Sequence, residues 1–395
     1  MLSPCEGVRA AAYTRSSVMA APSQEALYAG IDLELSWSER QLPQAERTKH
    51  VHRLHPYLGK FIPQLVEVFL RRHFAPGGCV YDPFIGSGTT LVEANAFGAD
   101  AVGCDISAFN CLLSRVKTAQ YSLGSLEMSL RTTLEEARRA GPASTARASP
   151  WLQDWYAPQA LGELLRYRDV AKKRLDGHAG DVAKVILSRA ARSARLTSHF
   201  DLDFPRAPVR EPYHCHKHKR ECRPVEVADK FLVRYTSDTV RRLRAFAPVQ
   251  TTQRVDVLHA DSRRIDLGVR PSGVITSPPY PGLIDYHEQH RYAYELLRLE
   301  DRRSQEIGAA EAGTGKLAIR RYVDDMVAVF KQTGEQLAPA SPVVIVVNDS
   351  RLLYPEILER SGLEVDGRHT RHVNRRTGRR AGEFFEEVIV CRVGR

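Results

Sequence analysis

The chain has 395 residues, and 57 Lys and Arg against 47 Asp and Glu give it a formal net charge of +10. Hydrophobic residues at 43% and charged residues at 26% are ordinary globular values, which excludes a largely disordered or collagen-like chain. No apolar run reaches the roughly 18 residues of a membrane span, and seven scattered cysteines do not form a disulfide framework. We therefore expect a cytoplasmic protein without a membrane partner, and a pI of about 9.3 favours an anionic partner.

The first regular elements follow an N-terminal segment without clear periodicity, residues 1–30, which we interpret as a flexible tail. Apolar residues at helical spacing predict a helix over 61–74. A short apolar strand at 79–81, a helix over 89–97 and a second strand at 101–104 come next. This succession is typical of the start of a parallel α/β sheet.

The alternation of strands and helices is interrupted after residue 120. Helical patterns occupy about 125–139, 157–173 and 181–196, and apolar strands resume near 255, 273, 343 and 387. We predict one α/β domain built from 31–120 and 251–395. A mainly helical insert over 121–250 interrupts it.

A glycine turn follows the first strand, with the sequence Asp-Pro-Phe-Ile-Gly-Ser-Gly-Thr-Thr over 82–90. A phosphate-binding P-loop would need Lys-Ser/Thr after its last glycine, and a dinucleotide-binding turn would need glycine where Leu91 stands. Asp82 precedes the glycines, and Asp105, which ends the next strand, is placed to bind a ribose diol. The turn favours an adenosine-bearing ligand, and a plain tight turn is the alternative.

A second turn, Thr276-Ser277-Pro278-Pro279-Tyr280, follows another apolar strand. Two prolines end that strand, so the turn lies at its carboxyl end, where open α/β sheets place their chemistry. A hydroxyl, a proline carbonyl and an aromatic ring suit a planar amine on a base. A rigid proline corner is the alternative interpretation.

The two turns together resemble the S-adenosylmethionine-dependent DNA amino-methyltransferases, and HPYLGKFIPQL at 55–65 resembles an additional cofactor-binding segment of that family. The resemblance covers roughly 50–120 and 251–395. It implies a Rossmann-like, mostly parallel sheet with a C-terminal antiparallel hairpin, and a target-recognition role for the insert. The serine of the second turn is similar to the cytosine-N4 enzymes, whereas adenine-N6 enzymes more often carry Asp or Asn there.

The resemblance also implies roles for individual residues. Ser277 and the Pro278 carbonyl would accept hydrogen bonds from the target amine, and Tyr280 would stack on the base, with Pro279 completing the catalytic turn. Asp105 would hold the ribose and Asp261 would lie near the adenine. The implied cofactor-binding residues are Lys60, Phe61, Asp82, Pro83, Phe84, Gly86, Ser87, Gly88, Thr89, Asp105, Ile106, Asp261, Ser262 and Ser277.

Two basic segments suit contact with DNA phosphates. Residues 206–244 hold eleven Lys and Arg against five Asp and Glu, and 368–380 holds six Arg and no acid. The second segment is interpreted as a hairpin loop close to DNA. Both are also compatible with an ordinary solvated face. The predicted DNA-binding residues are Lys217, Lys219, Arg220, Arg223, Arg291, Arg375, Arg376, Arg379 and Arg380.

Two histidine-containing segments have residue types that can bind a metal, but the sequence predicts no metal ligand in either. Cys215 and Cys222 have a spacing that is not that of a standard zinc finger, so a basic loop near DNA is favoured. His287 and His290 lack the His-Glu-x-x-His order, so their segment is expected to cap the active site. Tyr286 and Arg291 of that segment are expected to touch the target nucleotide.

The sequence thus predicts a nucleoid-associated bacterial enzyme that transfers a methyl group from S-adenosylmethionine to the N4 amine of a flipped cytosine in double-stranded DNA. The alternatives are an adenine-N6 DNA methyltransferase, an RNA amino-methyltransferase and a DNA-binding protein with an inactive site. A cognate restriction endonuclease would be a further partner. The sequence leaves the oligomeric state open.

Overall fold

The computed structural model describes residues 35–38, 40–59, 61–199, 201–202, 205–373 and 385–394. The predicted tail lies outside these residues, as do Lys60, Arg375, Arg376, Arg379 and Arg380. In the described part of the chain, no helix combines the length and apolar composition needed to cross a membrane.

The helices that the structure describes are α1 (Gln44–Arg47), α2 (Pro63–His73), α3 (Thr89–Phe97), α4 (Ala108–Thr118), α5 (Leu123–Arg139), α6 (Pro150–Trp155), α7 (Pro158–Arg174), α8 (Gly177–Ala194), α9 (Asp229–Phe246), α10 (Tyr286–Gln289), α11 (Arg291–Leu297), α12 (Lys316–Glu335) and α13 (Tyr354–Ser361). The strands are β1 (Cys79–Asp82), β2 (Asp100–Asp105), β3 (Tyr213–Cys215), β4 (Arg220–Cys222), β5 (Val255–His259), β6 (Gly273–Thr276), β7 (Pro342–Val347), β8 (Leu363–His372) and β9 (Phe385–Val393). Short 3-10 turns occur at His50–Arg53, Arg303–Gln305 and Ala310–Ala312.

Seven strands form one sheet in the order β5-β2-β1-β6-β7-β9-β8. The strands from β5 to β7 are mutually parallel, while β9 runs antiparallel to both of its neighbours and forms a hairpin with β8. Helical segments connect most of the parallel strands, as crossover connections require. The predicted Rossmann-like α/β fold with a C-terminal antiparallel hairpin is therefore confirmed.

The sheet has a switch point between β1 and β6. From β1 the chain moves outward through β2 to β5 on one side, and it then returns to place β6 against the other side of β1. Val80 and Tyr81 of β1 pair in parallel with Gly273 and Val274 of β6. Because both strands end at the same edge, the loops that follow them open a crevice there, where such folds bind ligands.

Each face of the sheet buries its own apolar core. One core joins Val80, Ile275 and Val344 of the strands to Leu65 and Phe69 of α2. The opposite core packs the sheet against α12 and α13. A third, purely helical core joins α5–α9 of the predicted insert to α4 and α11. The insert helices therefore pack directly on elements that flank the crevice.

Local sequence signals explain several element boundaries. Pro63 occupies the first turn of α2, where proline costs no hydrogen bond. Gly98, with a φ of +88°, ends α3 where the sequence predicts it.

Helix α9 was not predicted, because its basic residues mask a buried stripe formed by Leu232, Thr236 and Leu243. Tertiary packing, rather than net polarity, decided its conformation.

Gly103 of β2 provides a test of the contact between β2 and the turn after β1. A Cβ atom at this position would lie 2.2 Å from Ile85 Cγ2 and 3.0 Å from the Asp82 carbonyl oxygen. We expect Gly103→Ala to lower the free energy of unfolding by about 1–3 kcal/mol, because neither neighbour can move without shifting the turn. Urea denaturation measures this change.

Gly124→Ala is the matched control, because Gly124 lies in α5 with open space around its added Cβ. We expect this variant to be unchanged or up to about 1 kcal/mol more stable, since alanine favours a helix. Equal stability of the two variants would contradict the proposed packing of Gly103.

Candidate active site

The glycine turn joins the end of β1 to the start of α3. Gly86 and Gly88 have φ values of +46° and +78°, a backbone region that favours glycine. A Cβ atom on Gly88 would also lie 2.6 Å from Ser114 Oγ on α4. Glycine is thus required here both by conformation and by close packing, which lets the turn lie tightly against α4.

Asp82 closes β1 directly beneath this turn and is fully buried. Its Oδ1 accepts the backbone N–H of Phe84 at 3.0 Å and the Thr276 hydroxyl at 2.7 Å. Its Oδ2 is buried without a hydrogen-bond partner among the described residues. Burial raises the pKa of Asp82 to about 6, although the bonds from Thr276 and Phe84 oppose that rise.

Asp105 closes the neighbouring strand β2 and receives three donors. Its Oδ2 accepts the N–H of Gly86 at 3.0 Å and the amide of Asn110 at 3.0 Å, and its Oδ1 accepts the N–H of Ser107 at 2.8 Å. Burial raises the pKa of this carboxyl despite these bonds. An ionised carboxylate has about four acceptor positions, so one remains for a hydroxyl of a bound ligand.

Lys117 of α4 supports the glycine turn from below, a role that sequence analysis did not predict. The side chain is completely buried, and its Nζ donates to the Ser87 carbonyl oxygen. This bond fixes the carbonyl of the turn, because a charged donor makes a strong hydrogen bond. Its signal in the sequence is weak, because a single Lys in an amphipathic helix normally faces solvent.

The turn Thr276–Tyr280 follows β6 at the same sheet edge. Thr276 Oγ1 bonds Asp82, and the Ser277 hydroxyl donates to the Val346 carbonyl of β7 at 3.0 Å. The Pro279 carbonyl accepts the Tyr322 hydroxyl at 3.0 Å. Tyr280 Oη donates to Glu386 at 3.3 Å. The turn is therefore held by β1, β7, α12 and β9.

A pocket with about 770 Å³ of empty space, including its mouth, lies between the two turns. Its size is typical of sites for small ligands. Eleven of the predicted cofactor-binding residues line it: Phe61, Pro83, Phe84, Gly86, Ser87, Thr89, Asp105, Ile106, Asp261, Ser262 and Ser277. Pro279 of the predicted catalytic turn also lines the pocket. Residues separated by more than two hundred positions thus meet in one cavity.

Other predicted site residues lie beside the pocket without lining it. Asp82 is the last residue of β1, directly before the glycine turn, and Gly88 is the last residue of that turn. Pro278 is buried, and Tyr280 is half-buried with its hydroxyl at Glu386. Asp261 lines the pocket but is paired with Arg263 at 2.8 Å, and although partial burial opposes it, this pairing holds its pKa below the ordinary value.

Tyr286, predicted to touch the target nucleotide, lines the pocket, and so do Tyr57 and Glu306, to which sequence analysis assigned no role. Tyr57 stacks on Tyr286 with ring centroids 5.4 Å apart, and the Tyr57 hydroxyl accepts the Asn110 amide at 3.2 Å. Glu306 accepts the backbone N–H of His287 at 3.0 Å, and burial raises its pKa. Tyr57 lies within the quoted segment 55–65, which gave a signal, whereas Glu306 lies in a loop without a motif.

The predicted DNA-binding residues fall into two groups. Lys217, Lys219, Arg220 and Arg223 are exposed on and beside the β3–β4 hairpin, and no ion pair involves them within the described ranges. Arg291 instead is paired with Glu288 at 3.5 Å and Glu295 at 3.4 Å. It also lies over the Trp151 ring at 5.3 Å. Its charge is thus partly used inside the protein.

Much of the positive charge of 206–244 is likewise used internally. On α9, Arg241 and Arg242 pair with Asp238, which also binds the buried Arg189 of α8. Arg244 of the same helix pairs with Glu127 of α5. The segment is therefore part structural helix and part exposed hairpin, and within the described residues the exposed basic side chains of the hairpin take part in no ion pair.

Asp82→Asn tests the cost of the buried carboxylate. The pKa of Asp82 is raised from 3.8 to about 6 in the fold. The folded state therefore keeps its proton where the unfolded state has lost it, and stability falls as pH rises between these values. At pH 7.5 we expect the variant to be more stable than the parent by up to roughly 3 kcal/mol, measured by urea unfolding.

The gain of Asp82→Asn should shrink toward pH 4, where the parent carboxyl is protonated. Asp266→Asn is the control, because Asp266 is exposed and should change stability by less than about 0.5 kcal/mol at every pH. A gain of equal size at pH 4.5 and pH 7.5 would contradict the buried-charge explanation.

Comparison with known proteins supports the same type of function as the two turns of the site. The family model described as DNA methylase (N6_N4_Mtase) matches residues 19–115. Type II methyltransferase M.MjaII of Methanocaldococcus jannaschii is 34% identical over 91% of this chain and 83% of its own length. Type II methyltransferase M.MvaI of Kocuria varians is 38% identical over 20% of each chain. The crystal structure of TrmN from Thermus thermophilus covers 85% of this chain and 50% of its own, with 12% identity and a TM-score of 0.33.

The pocket fits the cofactor that this family uses, S-adenosylmethionine. The free acceptor position of Asp105, which lines the pocket, suits a ribose hydroxyl. The glycine turn borders the same pocket, so its backbone can approach a ligand closely. The similarity to M.MjaII over nearly the whole chain, together with this pocket, shows that the protein belongs to the S-adenosylmethionine-dependent N6/N4 DNA amino-methyltransferase family.

Proposed function

We propose that the protein methylates the N4 amine of a cytosine at a specific site in double-stranded DNA. The observation that carries this proposal is the hydrogen bonding of Ser277. Its hydroxyl hydrogen is committed to the Val346 carbonyl at 3.0 Å, so the Ser277 oxygen keeps its lone pairs for an amine donor beside the pocket. Serine at this position of the turn, rather than an acid or an amide, resembles the turn of the cytosine-N4 enzymes.

The amine of cytosine is a weak nucleophile, because its lone pair is delocalised into the ring. The Ser277 oxygen and the Pro278 carbonyl would accept its two hydrogens. The Pro278 carbonyl is suited to this, since the neighbouring Pro279 carbonyl is the one that receives Tyr322. Acceptors off the ring plane favour a pyramidal nitrogen and localise its lone pair. Attack needs no strong base, because the amine loses its proton only after the new bond forms.

Tyr280 would provide the stacking surface for the target base. Its ring is anchored through its hydroxyl to Glu386, which is paired in turn with the buried Arg371 at 3.0 Å. A fixed aromatic ring orders the base at low entropic cost. Fixing amine and donor together contributes the positioning effect, worth roughly 7–11 kcal/mol in favourable cases.

The bound S-adenosylmethionine supplies the methyl group as an electrophilic sulfonium. Asp82, Asp105 and the glycine turn would hold its polar parts, and the apolar side chains of Phe61, Phe84 and Ile307 would exclude water. In this proposal the cofactor would lie at the end of β1 and the base at the end of β6. Because these strands are neighbours, the reacting groups would be close together.

A cytosine inside a duplex cannot reach this pocket, so the nucleotide must be flipped at a cost of a few kcal/mol. We assign the energy for this step to the region 121–250, acting as a target-recognition insert, and to its exposed basic hairpin. The region packs on α4, which contributes Asn110 to the pocket wall, and on α11, so an apolar core joins the proposed recognition region to the pocket. A cognate restriction endonuclease would cleave the same site when it is unmethylated.

Identification of the modified base tests the proposal. DNA from cells that express the protein is digested to nucleosides and analysed by mass spectrometry. We expect N4-methylcytosine, and sequencing of modified bases should place it in one recurring sequence. N6-methyladenine alone would overturn the cytosine assignment and support the adenine-N6 alternative. Modified RNA without modified DNA would support the RNA alternative.

Ser277→Ala is the matched inactive variant for this measurement. We expect the loss of one acceptor to lower kcat by about 100-fold or more. Binding of S-adenosylmethionine, measured by calorimetry, should change far less, because Ser277 is only one of many residues that line the pocket. A variant with normal kcat would show that the hydroxyl does not contact the amine.

Replacement of Lys217 and Lys219 with Gln tests the basic hairpin. We expect the slope of log affinity for DNA against log salt to become shallower by roughly one for each lost phosphate contact. The double variant Lys172→Gln and Lys173→Gln is the control, because it removes two exposed lysines from α7 and the same total charge. Equal slopes for the two double variants would contradict a specific role for the hairpin.

A further inference from the structure

We propose that the protein holds a structural zinc ion bound by Cys215, Cys222, His218 and His199. The four ligand atoms all lie within 4.8 Å of one another. Three of the residues belong to the β3–β4 hairpin, and His199 comes from the loop after α8. The proposed ion would take no part in methyl transfer, and its assignment does not depend on the proposed function.

The distances match those of a tetrahedral zinc site. His218 Nδ1 lies 3.6 Å from Cys215 Sγ and 3.5 Å from Cys222 Sγ, and His199 Nδ1 lies 3.6 Å from Cys215 Sγ. A zinc ion at about 2.3 Å from sulfur and about 2.0–2.1 Å from nitrogen, with tetrahedral angles, separates sulfur from nitrogen by about 3.6 Å. The ligands are therefore already arranged around a centre of the right size.

The hairpin is very short. Its strands have three residues each, and a hairpin of this size is at best marginally stable in water. Its turn contains Lys219 at a φ of +51°, which is unfavourable for a residue with a side chain. Yet Cys215 and Cys222 are only 2% and 8% exposed, whereas the residues between them are exposed. A metal ion bound between the two thiolates would explain why the two cysteines are buried in an otherwise exposed hairpin.

The backbone prepares the hairpin for a bound metal. The Lys219 N–H donates to the Cys215 carbonyl at 2.7 Å, which closes a tight turn directly after the first cysteine. This turn brings the His218 ring beside both sulfur atoms, with Nδ1 3.6 Å from Cys215 Sγ and 3.5 Å from Cys222 Sγ.

His199 completes the ligand set from outside the hairpin. The Tyr213 hydroxyl accepts the His199 backbone N–H at 3.0 Å and so holds the loop against β3. The same hydroxyl lies 3.1 Å from His199 Nδ1, and in the proposed site this contact gives way to the metal. His199 stands sixteen residues before Cys215, which explains why the spacing within 214–222 did not indicate a complete site.

Zinc is the metal that this ligand set favours. Two thiolates and two imidazoles in a closed tetrahedral arrangement are typical of structural zinc. No fifth ligand or open position is needed, so a catalytic role is not proposed. The ion would cross-link the hairpin to the end of α8. Arg195, which lies like His199 in the loop after α8, is positioned over the Tyr292 ring of α11 at 4.7 Å. The same loop therefore contacts both the proposed metal site and α11.

If the proposed DNA methylation is correct, the zinc ion also orders the basic turn. Lys217, Lys219 and Arg220 lie between the ligands or next to them, and all three are exposed. A fixed turn loses less entropy on contact with phosphates than a mobile one does. This consequence rests on the proposed function, whereas the metal site itself does not.

Metal analysis of the full-length protein tests the site. The protein is purified without a histidine tag or chelator, and its metals are measured by mass spectrometry. We expect about one zinc per chain. Variants Cys222→Ser and His199→Ala should lose most of it, whereas His214→Ala and His216→Ala should keep it. These two control histidines lie on the same hairpin and contact each other, with ring centroids 5.5 Å apart.

Cobalt substitution keeps the test independent of variants that fail to fold. The parent protein with Co²⁺ in place of zinc should show the intense visible bands of a four-coordinate site and a sulfur-to-cobalt charge-transfer band. Weak bands of a six-coordinate ion would overturn the proposal. So would a zinc content that remains well below one per chain after incubation with excess zinc, or a Cys215–Cys222 disulfide in non-reduced peptide maps. None of these readouts measures methylation, so failure of the metal site is distinct from failure of the proposed function.

Discussion

The hydrogen bond between Thr276 and Asp82 joins the two halves of the active site. Its length of 2.7 Å connects the residue that begins the proline turn to the residue that ends β1. Both strands run parallel and side by side at the switch point of the sheet. If these strands were not neighbours, a cofactor at one turn and a base at the other could not react. The topology of the sheet is therefore the first requirement for the chemistry.

Buried charge is the second requirement, and it is costly. Asp82, Asp105 and Lys117 all lie beneath the glycine turn, and burial raises the pKa of both carboxyls. A protein selected for stability alone would not keep an acceptor atom such as Asp82 Oδ2 without a partner. The Thr276 hydroxyl and the Phe84 N–H offset part of the cost of burying Asp82, so this carboxyl joins the two turns. Lys117 binds the Ser87 carbonyl and so fixes the glycine turn from α4.

The sequence predicted the parts of the site that are local in the chain. The glycine turn and the proline turn each carry their signal within ten residues, because their backbone conformations demand particular residue types. Glu306 and Lys117 reach the site only through tertiary packing, and no local pattern marks them. The same reason hid α9, whose buried stripe is visible only once α8 and α5 are in place.

The β3–β4 hairpin shows the same limit from the opposite direction. Within 214–222 the residues Cys215, His218 and Cys222 provide three ligands at a spacing that matches no standard finger. The fourth, His199, is separated from them by a loop, and only the fold brings it to 3.6 Å from Cys215. A short hairpin with little apolar area cannot stabilise itself by packing, so it needs a cross-link. If the hairpin contacts DNA as proposed, it must stay exposed and has no apolar core available, and the proposed zinc ion would be a compact substitute for one.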